Sequence, residues 1–366
     1  MTRQRRHSRS PAPREREGPA PSLTLPRKRG RDGWGREGEG AADSPSPGSL
    51  RSPPSPAVRE RAEAGREREG GTRCGYVALI GAPNAGKSTL LNRLVGHKLA
   101  IVTPKVQTTR SRLLGIAIAG EAQLVFVDTP GIFAPRRRLD RAMVAAAWAG
   151  AEDADKTVLL VDAARGIDRE TRRILERLAE RGRAAILALN KIDLVRRQKL
   201  LGLAAELAQA VPFERVFMIS GLTGDGVDDL KRYLAGEVPA GPWLFPADQL
   251  SDAPERLLAA EVTREQVFLQ LHEELPYAAT VETESWEERR DGSVRIEQVI
   301  YVQRPGQRAI VLGERGQRIK AIGARARAEL EERFERRVHL FLFVKVRENW
   351  LDDRERYEAL GLDYEA

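Results

Sequence analysis

The sequence predicts an α/β domain built on a doubly wound, mostly parallel sheet, followed by a smaller α+β domain. Three observations carry this. From Gly75 onward, apolar runs of strand length alternate with helical segments, the pattern of a parallel sheet wrapped by helices. The first run, 76–80, ends in the glycine-rich loop Gly81-Ala82-Pro83-Asn84-Ala85-Gly86-Lys87-Ser88, which opens a helix. Toward the carboxyl end the alternation gives way to a helix, two strands, and two helices joined by Gly313-Glu314-Arg315-Gly316, closed by a last strand.

At 366 residues the chain exceeds a typical single domain, so two folded units are expected. The lone Cys74 excludes a disulfide framework within the chain, and the scattered histidines 7, 97, 272 and 339 have no cysteine cluster beside them to make a zinc site. No apolar run approaches the ~20 residues that cross a bilayer, so the expectation is a soluble protein. The net charge of +8 is unevenly spread. Of 61 basic and 53 acidic side chains, 16 and 10 lie in residues 1–72, leaving a nearly balanced 45 and 43 for the rest. A nucleic-acid surface must therefore come from local clustering.

Residues 1–72 mix Pro, Gly, Ser, Arg and Glu without hydrophobic periodicity, a composition that buries too little apolar surface to fold. They read as a disordered tail. Interspersed glutamates argue against an organelle transit peptide. The tail is either a basic arm with weak affinity for polyanions or sequence upstream of the true start.

In the first folded unit, strands are expected at 76–80, 115–119, 124–128, 157–162, 185–190 and 216–220, and helices at 87–95, 141–149, 169–181, 198–210 and 227–234. Ligands of such sheets bind at the carboxyl ends of strands, and each motif falls at one. In the loop 81–88, small residues let successive N–H groups curl around phosphate oxygens at a helix N-terminus. Lys87 then reaches the terminal phosphates, and the Ser88 hydroxyl can ligate Mg²⁺. Asp128-Thr129-Pro130-Gly131 ends the third strand: the carboxylate can hold Mg²⁺ through water, and the Gly131 N–H can meet a terminal phosphate. Asn190-Lys191-Ile192-Asp193 selects the base, because a carboxylate accepts from the ring N–H and amine of guanine together, a pair that adenine lacks. Ser220-Gly221-Leu222 would bring a backbone N–H toward the guanine carbonyl. Thr109, in Gln107-Thr108-Thr109-Arg110, can complete the Mg²⁺ shell when a terminal phosphate is present.

A proline-rich linker follows at 239–246. Asp252-Ala253-Pro254-Glu255 then looks like a capping box opening a helix to about His272. Strands at 280–286 and 295–303, a helix at 319–334 and a strand at 338–346 complete the second unit. Between its helices, Gly313-Glu314-Arg315-Gly316 has the form of the GXXG clamp that grips single-stranded nucleic acid, followed by Arg318, Lys320, Arg325 and Arg327.

The order 81–88, Thr109, 128–131, 190–193, Ser220 is that of the translation-factor-like GTPases. With the GXXG half, Glu274-Leu275-Pro276-Tyr277, 311–323 and Phe343-Val344-Lys345-Val346, the chain from about residue 73 resembles the bacterial Era GTPases. The resemblance implies a P-loop GTPase domain at 73–238, a linker at 239–252 and a type II KH domain at 253–366. It implies GTP/GDP and Mg²⁺ as cofactors, with Gly81 to Thr89, Asp128, Gly131, Asn190, Lys191, Asp193, Ser220, Gly221 and Leu222 on the nucleotide, and Ser88, Thr109 and Asp128 around the metal. Gly313, Glu314, Arg315, Gly316, Arg318 and Lys320 would bind RNA. The partners implied are the 3′ end of small-subunit rRNA and the small ribosomal subunit, for a cytoplasmic monomer with some peripheral association with the inner membrane.

Catalysis is expected to rest on Asn84, Lys87, Thr109 and Gly131. Ile132 stands where many GTPases place a water-orienting Gln, so intrinsic hydrolysis should be slow. In related GTPases an Asn at the place of Asn84 holds K⁺ beside the phosphates, so K⁺-stimulated turnover is expected. Gly221 departs from the family's usual Ala, and Glu314 puts an acid inside the clamp. A plain RNA-binding module with a structural nucleotide and a membrane-associated signalling GTPase are the competing readings.

Overall fold

The computed structural model describes residues 71–103, 105, 109–110, 112–271, 275–348, 350 and 353–366. The tail up to residue 70, Gln107, Thr108, His272 and Glu274 lie outside the described residues.

The first half has strands β1 (Arg73–Gly81), β2 (Leu113–Ala119), β3 (Ala122–Asp128), β4 (Lys156–Asp162), β5 (Ala185–Asn190) and β6 (Phe213–Met218). Its helices are α1 (Lys87–Val95), α2 (Arg138–Asp153), α3 (Arg169–Arg181), α4 (Arg197–Ala210) and α5 (Val227–Glu237). The sheet order is β2-β3-β1-β4-β5-β6. All pairings are parallel except β2 with β3, which a tight turn at Gly120 joins into a hairpin.

Alternation along β1 shows why helices cover both faces. Tyr76, Ala78 and Ile80 pack with α2, α3 and α4, while Val77 and Leu79 pack with α1 and α5. Helix α3 illustrates the local logic. Asp168 caps it by accepting from the Thr171 N–H at 2.8 Å, Gly182 ends it in the left-handed conformation, and Ile174, Leu175 and Leu178 form its buried stripe. Each such side chain contributes ~1.5–3 kcal/mol on burial. Strand β6 begins earlier than its expected 216–220. It is the edge strand, its residues are half-buried or exposed, and no alternation marks it.

The stretch 239–252 adheres to this half. Cys74 N–H donates to Pro239 O, Ile116 N–H to Leu250 O, and the Gln123 amide takes Leu244 and Phe245 N–H while donating to Phe245 O.

The second half runs α6 (Glu255–Gln270), β7 (Ala279–Glu288), β8 (Val294–Val302), α7 (Pro305–Leu312), α8 (Gln317–Phe334) and β9 (Val338–Val346). Strand β8 is central, antiparallel to β7 and parallel to β9. This is the αββααβ order expected of a type II KH domain. The expected capping box is absent: α6 starts after Pro254, which has no side-chain cap, and Asp252 lies too early to reach the first free N–H groups. Pro254 O instead takes Leu257 and Leu258 N–H.

Beyond β9 the chain returns to the first half through a short helix, α9 (Arg354–Ala359), which the sequence reading did not anticipate. Tyr357 and Leu362 bury themselves against Leu139 and Met143 of α2.

Candidate functional site

Strand β1 delivers the phosphate loop to the centre of the sheet's carboxyl edge. Gly86 sits in the left-handed conformation at φ 96°, directly before α1, and a side chain there would strike the Asn190 amide. The loop borders a cleft of about 570 Å³, a volume suited to a small-molecule ligand. Pro83, Asn84, Gly86, Lys87, Ser88 and Thr89 line it from the loop side. Thr109, Gly131 and Lys191 close it from other elements.

Lys87 is only 6% exposed, and its ammonium donates to Gly81 O and Ala82 O, each at 3.2 Å. Burial pulls its pKa down from 10.5 to about 8, against the charge of Asp128, which supports the protonated form. The unfolded chain therefore binds more protons between those values, and stability rises with pH across them. Phosphate oxygens would restore the charge. Polyphosphate affinity should fall as pH rises above about 8, with a proton taken up on binding. Calorimetric titration of GDP at pH 9 in buffers of different ionisation enthalpy checks this, and equal heats in all buffers would refute it.

Asp128, at the end of β3, is fully buried. Its Oδ2 accepts from Ser88 Oγ at 2.9 Å and from Thr109 Oγ1 at 3.0 Å, and these two hydroxyls lie 3.0 Å apart. Its Oδ1 has no hydrogen-bond partner among the described residues. Burial raises the pKa of this carboxyl, opposed by Lys87 and the two hydroxyls. Two hydroxyls and an uncompensated carboxylate oxygen form a hard-oxygen donor set, which suits Mg²⁺. Ile132 is 5% exposed and packs in the core, its N–H donating to Gly81 O at 3.0 Å. The position after Gly131 therefore presents no polar side chain to the cleft.

The motif expected to select the base also has a structural role. Asn190 is buried, its amide donating to Ala85 O at 2.8 Å and its Oδ1 accepting from Gly221 N–H at 2.9 Å. It braces the phosphate loop against the loop after β6. Lys191 Nζ donates to Asn84 O at 2.7 Å and pairs with Asp162 at 2.6 Å. Asp193, in the turn Ile192–Leu194, is exposed, and Leu222 is 70% exposed; Ser220 is buried. These three and Gly221 stand at the carboxyl ends of β5 and β6 without lining the 570 Å³ cleft. A methyl group at Gly221 would meet Leu90 and Asn190 at ordinary contact distances, so nothing steric enforces this glycine.

Sequence reasoning missed Asp162 and Arg165, which line the cleft, and Ile101 and Val102, which face it from the segment after α1. For Asp162 a signal existed: it is an acid at the carboxyl end of a parallel strand.

In the second half, Gly313 ends α7 at φ 70°, ψ 176°, and Gly316 caps α8 in the left-handed conformation. Gly313, Glu314 and Arg318 line a cleft of about 600 Å³ with Leu269, Gln317 and Arg325. Arg318 also donates to Ile310 O at 2.9 Å. Arg315, Gly316 and Lys320 lie beside this cleft and do not line it; Arg315 and Lys320 are exposed.

Comparison with known proteins matches a sequence family described as a 50S ribosome-binding GTPase to residues 76–191, and the KH domain family to residues 274–351. The GTPase Era of Rhizobium meliloti (strain 1021) is 63% identical over 293 residues, covering 80% of this chain and 94% of that protein. The chain belongs to the GTPase Era family. Era of Brucella suis biovar 1 (strain 1330) is 60% identical with the same coverage. Among solved structures, Aquifex aeolicus Era bound to GDP and aluminium fluoride matches with a TM-score of 0.75 and 37% identity, over 79% of this chain and 99% of that one. An Era complex with MgGDPNP and nucleotides 1506–1542 of 16S ribosomal RNA matches equally well. Like the family, this chain is a GTPase with a mostly parallel P-loop domain and a carboxyl-terminal KH domain.

Proposed function

We propose that this GTPase is a nucleotide-controlled switch in small ribosomal subunit maturation, binding the 3′ end of small-subunit rRNA through its KH half. The reading divides the folded chain into a GTPase unit at 73–238, a linker at 239–252 and a KH unit at 253–366. The observation that carries it is the acceptor shared by Ser88 and Thr109 on Asp128, at the edge of the phosphate cleft. A threonine from a loop outside the phosphate motif reaches the metal's ligand set, which is how a GTPase senses a terminal phosphate.

On binding, Lys87 exchanges the carbonyls of Gly81 and Ala82 for phosphate oxygens, and the N–H groups from Asn84 to Thr89 wrap the remaining ones. Gly131 offers its N–H to the terminal phosphate. Asp193 and the Leu222 N–H hold guanine, since the N–H groups of Ser220 and Gly221 are committed to Asp225 O and to Asn190, with Lys191 beside the base. Ser88, Thr109 and Asp128 would hold Mg²⁺, which would supply neutralisation of the phosphate charge. With Ile132 in the core, no side chain there orients water, and added positive charge beside the phosphates would offset that loss. Asn84, a cleft residue, is assigned to hold K⁺ for that purpose. On the RNA side, Gly313 permits close backbone approach, while Arg318, Lys320, Arg315 and the N-terminus of α8 offset Glu314.

Single-turnover hydrolysis in KCl and in NaCl, with and without RNA carrying the small-subunit 3′ sequence, tests the reading. Turnover should be slow alone, faster with K⁺ and RNA, and insensitive to K⁺ in Asn84→Ala. Equal rates in both salts, with and without RNA, overturn the role of K⁺. Turnover undetectable under every condition favours an RNA-binding module with a structural nucleotide. No described helix is long and apolar enough to cross a membrane. Peripheral association with the inner membrane and a monomeric state complete the proposal, and vesicle flotation and sedimentation check them.

A further inference from the structure

The described residues between α1 and β2 meet the nucleotide cleft on one side and the KH half on the other. Ile101, Val102, Thr103 and Thr109 line the cleft. On the opposite side, buried Glu265 of α6 accepts the Val102 N–H at 2.9 Å and pairs with Lys98 at 2.7 Å. Lys98 pairs in addition with Glu329 of α8, the helix that follows the GXXG loop. The ammonium of Lys105 reaches Phe268 O and Leu271 O, at the carboxyl end of α6.

Arg110 is the deepest of these contacts. It is 3% exposed, donates to Ala279 O at 2.9 Å and to Tyr277 O at 3.2 Å, and lies 5.7 Å from the ring centroids of both Phe268 and Trp350. All four partners belong to the KH half. Its chain neighbour Thr109 turns the other way, to Ser88 and Asp128. Two adjacent residues thus bind the two functional halves. A side chain anchored by two carbonyls and two rings leaves the preceding hydroxyl little freedom.

We propose that Arg110 is a positioning residue: anchored on the KH half, it sets the Thr109 hydroxyl in the phosphate site, so that the KH half completes the GTPase centre and GTP and RNA are coupled through this pair. The inference rests on the switch reading above. If Thr109 moves when a terminal phosphate binds, Arg110 transmits the change to α6 and to the turn at Leu275–Ala278, and RNA binding must act back on hydrolysis through the same link.

The full-length protein with Arg110→Ala tests it. Expected are a kcat lower by about 10- to 100-fold, since a misplacement of about 1 Å carries losses of that order, and a Mg²⁺ requirement shifted to higher concentration. GDP affinity should stay within about twofold, because GDP lacks the phosphate that Thr109 senses. The ratio of RNA affinities measured with a non-hydrolysable GTP analogue and with GDP should collapse toward one, while Arg110→Lys restores part of it. Glu265→Gln keeps the shape of α6 and weakens a second anchor of the same segment on the KH half, at Val102 and Lys98; it should act in the same direction and serves if Arg110→Ala fails to fold. A variant with wild-type Mg²⁺ dependence, or with an unchanged RNA affinity ratio, overturns the proposal. A wild-type protein whose RNA affinity ignores its nucleotide overturns instead the switch reading beneath it.

Discussion

Asp128→Asn should lower GTP hydrolysis by about 10²–10³-fold, the range for losing one preorganised electrostatic contact in an active site, and yet raise the melting temperature of the nucleotide-free protein. Both effects have one cause. Asp128 is a buried carboxylate with both hydroxyl donors on Oδ2 and no partner for Oδ1 among the described residues. Its folded pKa is raised, so the folded state binds more protons than the unfolded one, and stability falls as pH climbs through the interval between the two values. Once ionised, the group therefore costs stability, and a neutral amide of the same shape removes that cost. Yet in the proposed mechanism the same carboxylate would accept Mg²⁺, and its charge also supports the protonated form of Lys87. The variant should bind GDP more weakly at pH 8 than at pH 7, by a larger factor than the wild type, because Lys87 loses that support. Differential scanning calorimetry beside a Mg²⁺ titration of hydrolysis checks both halves. A variant that is less stable as well as inactive would show Asp128 to be a structural ligand of Ser88 and Thr109 only.

How much of this was legible in the sequence follows from how far apart the cooperating atoms lie along the chain. The phosphate loop could be read because strand, loop and helix are contiguous. Helices α1 and α3 were bounded correctly because their left-handed ends, Gly96 and Gly182, are local signals. The start of helix α6 departs from the expectation because Asp252 and Glu255 have the spacing of a capping box, whereas the residue before the helix is Pro254, which has no side-chain cap. Asn190 was assigned to the base-selecting motif, but its bond to Ala85 spans 105 residues and no spacing announces it. Arg110 reaches Ala279 across 169 residues, and as one arginine in a polar loop it carried no signal at all. The return of α9 onto α2 was invisible for the same reason: Tyr357 and Leu362 bury themselves on residues more than two hundred positions earlier. In the KH half, GXXG was visible as a motif, but only the fold separates Gly313, Glu314 and Arg318, which line the cleft, from Arg315 and Lys320, which do not.

Gly313→Asp should weaken RNA binding by at least tenfold while leaving GDP affinity and the GTPase rate without RNA nearly unchanged. Three physical terms add at this position. Gly313 occupies φ 70°, ψ 176°, a region open essentially to glycine alone, and forcing another residue into it costs of order 1–3 kcal/mol. Any Cβ there would stand 2.7 Å from the Cβ of Arg318, a backbone-proximal atom at the start of α8 that cannot swing aside. Relief of that clash moves Arg318, one of the cations lining the cleft. The new carboxylate then joins Glu314 at the helix N-terminus, where phosphate should sit, and repels it. Gly313→Ala separates these terms, since it keeps the strain and the clash without the charge, and its loss should be smaller and less sensitive to salt. Gly313 lines the second cleft and not the one bordered by the phosphate loop, which predicts silence in nucleotide binding. Filter binding of the 3′-terminal rRNA sequence at two salt concentrations, beside GDP titration, reads all three quantities. Unchanged RNA affinity in Gly313→Asp would move the RNA contact away from this loop, to another face of the KH half.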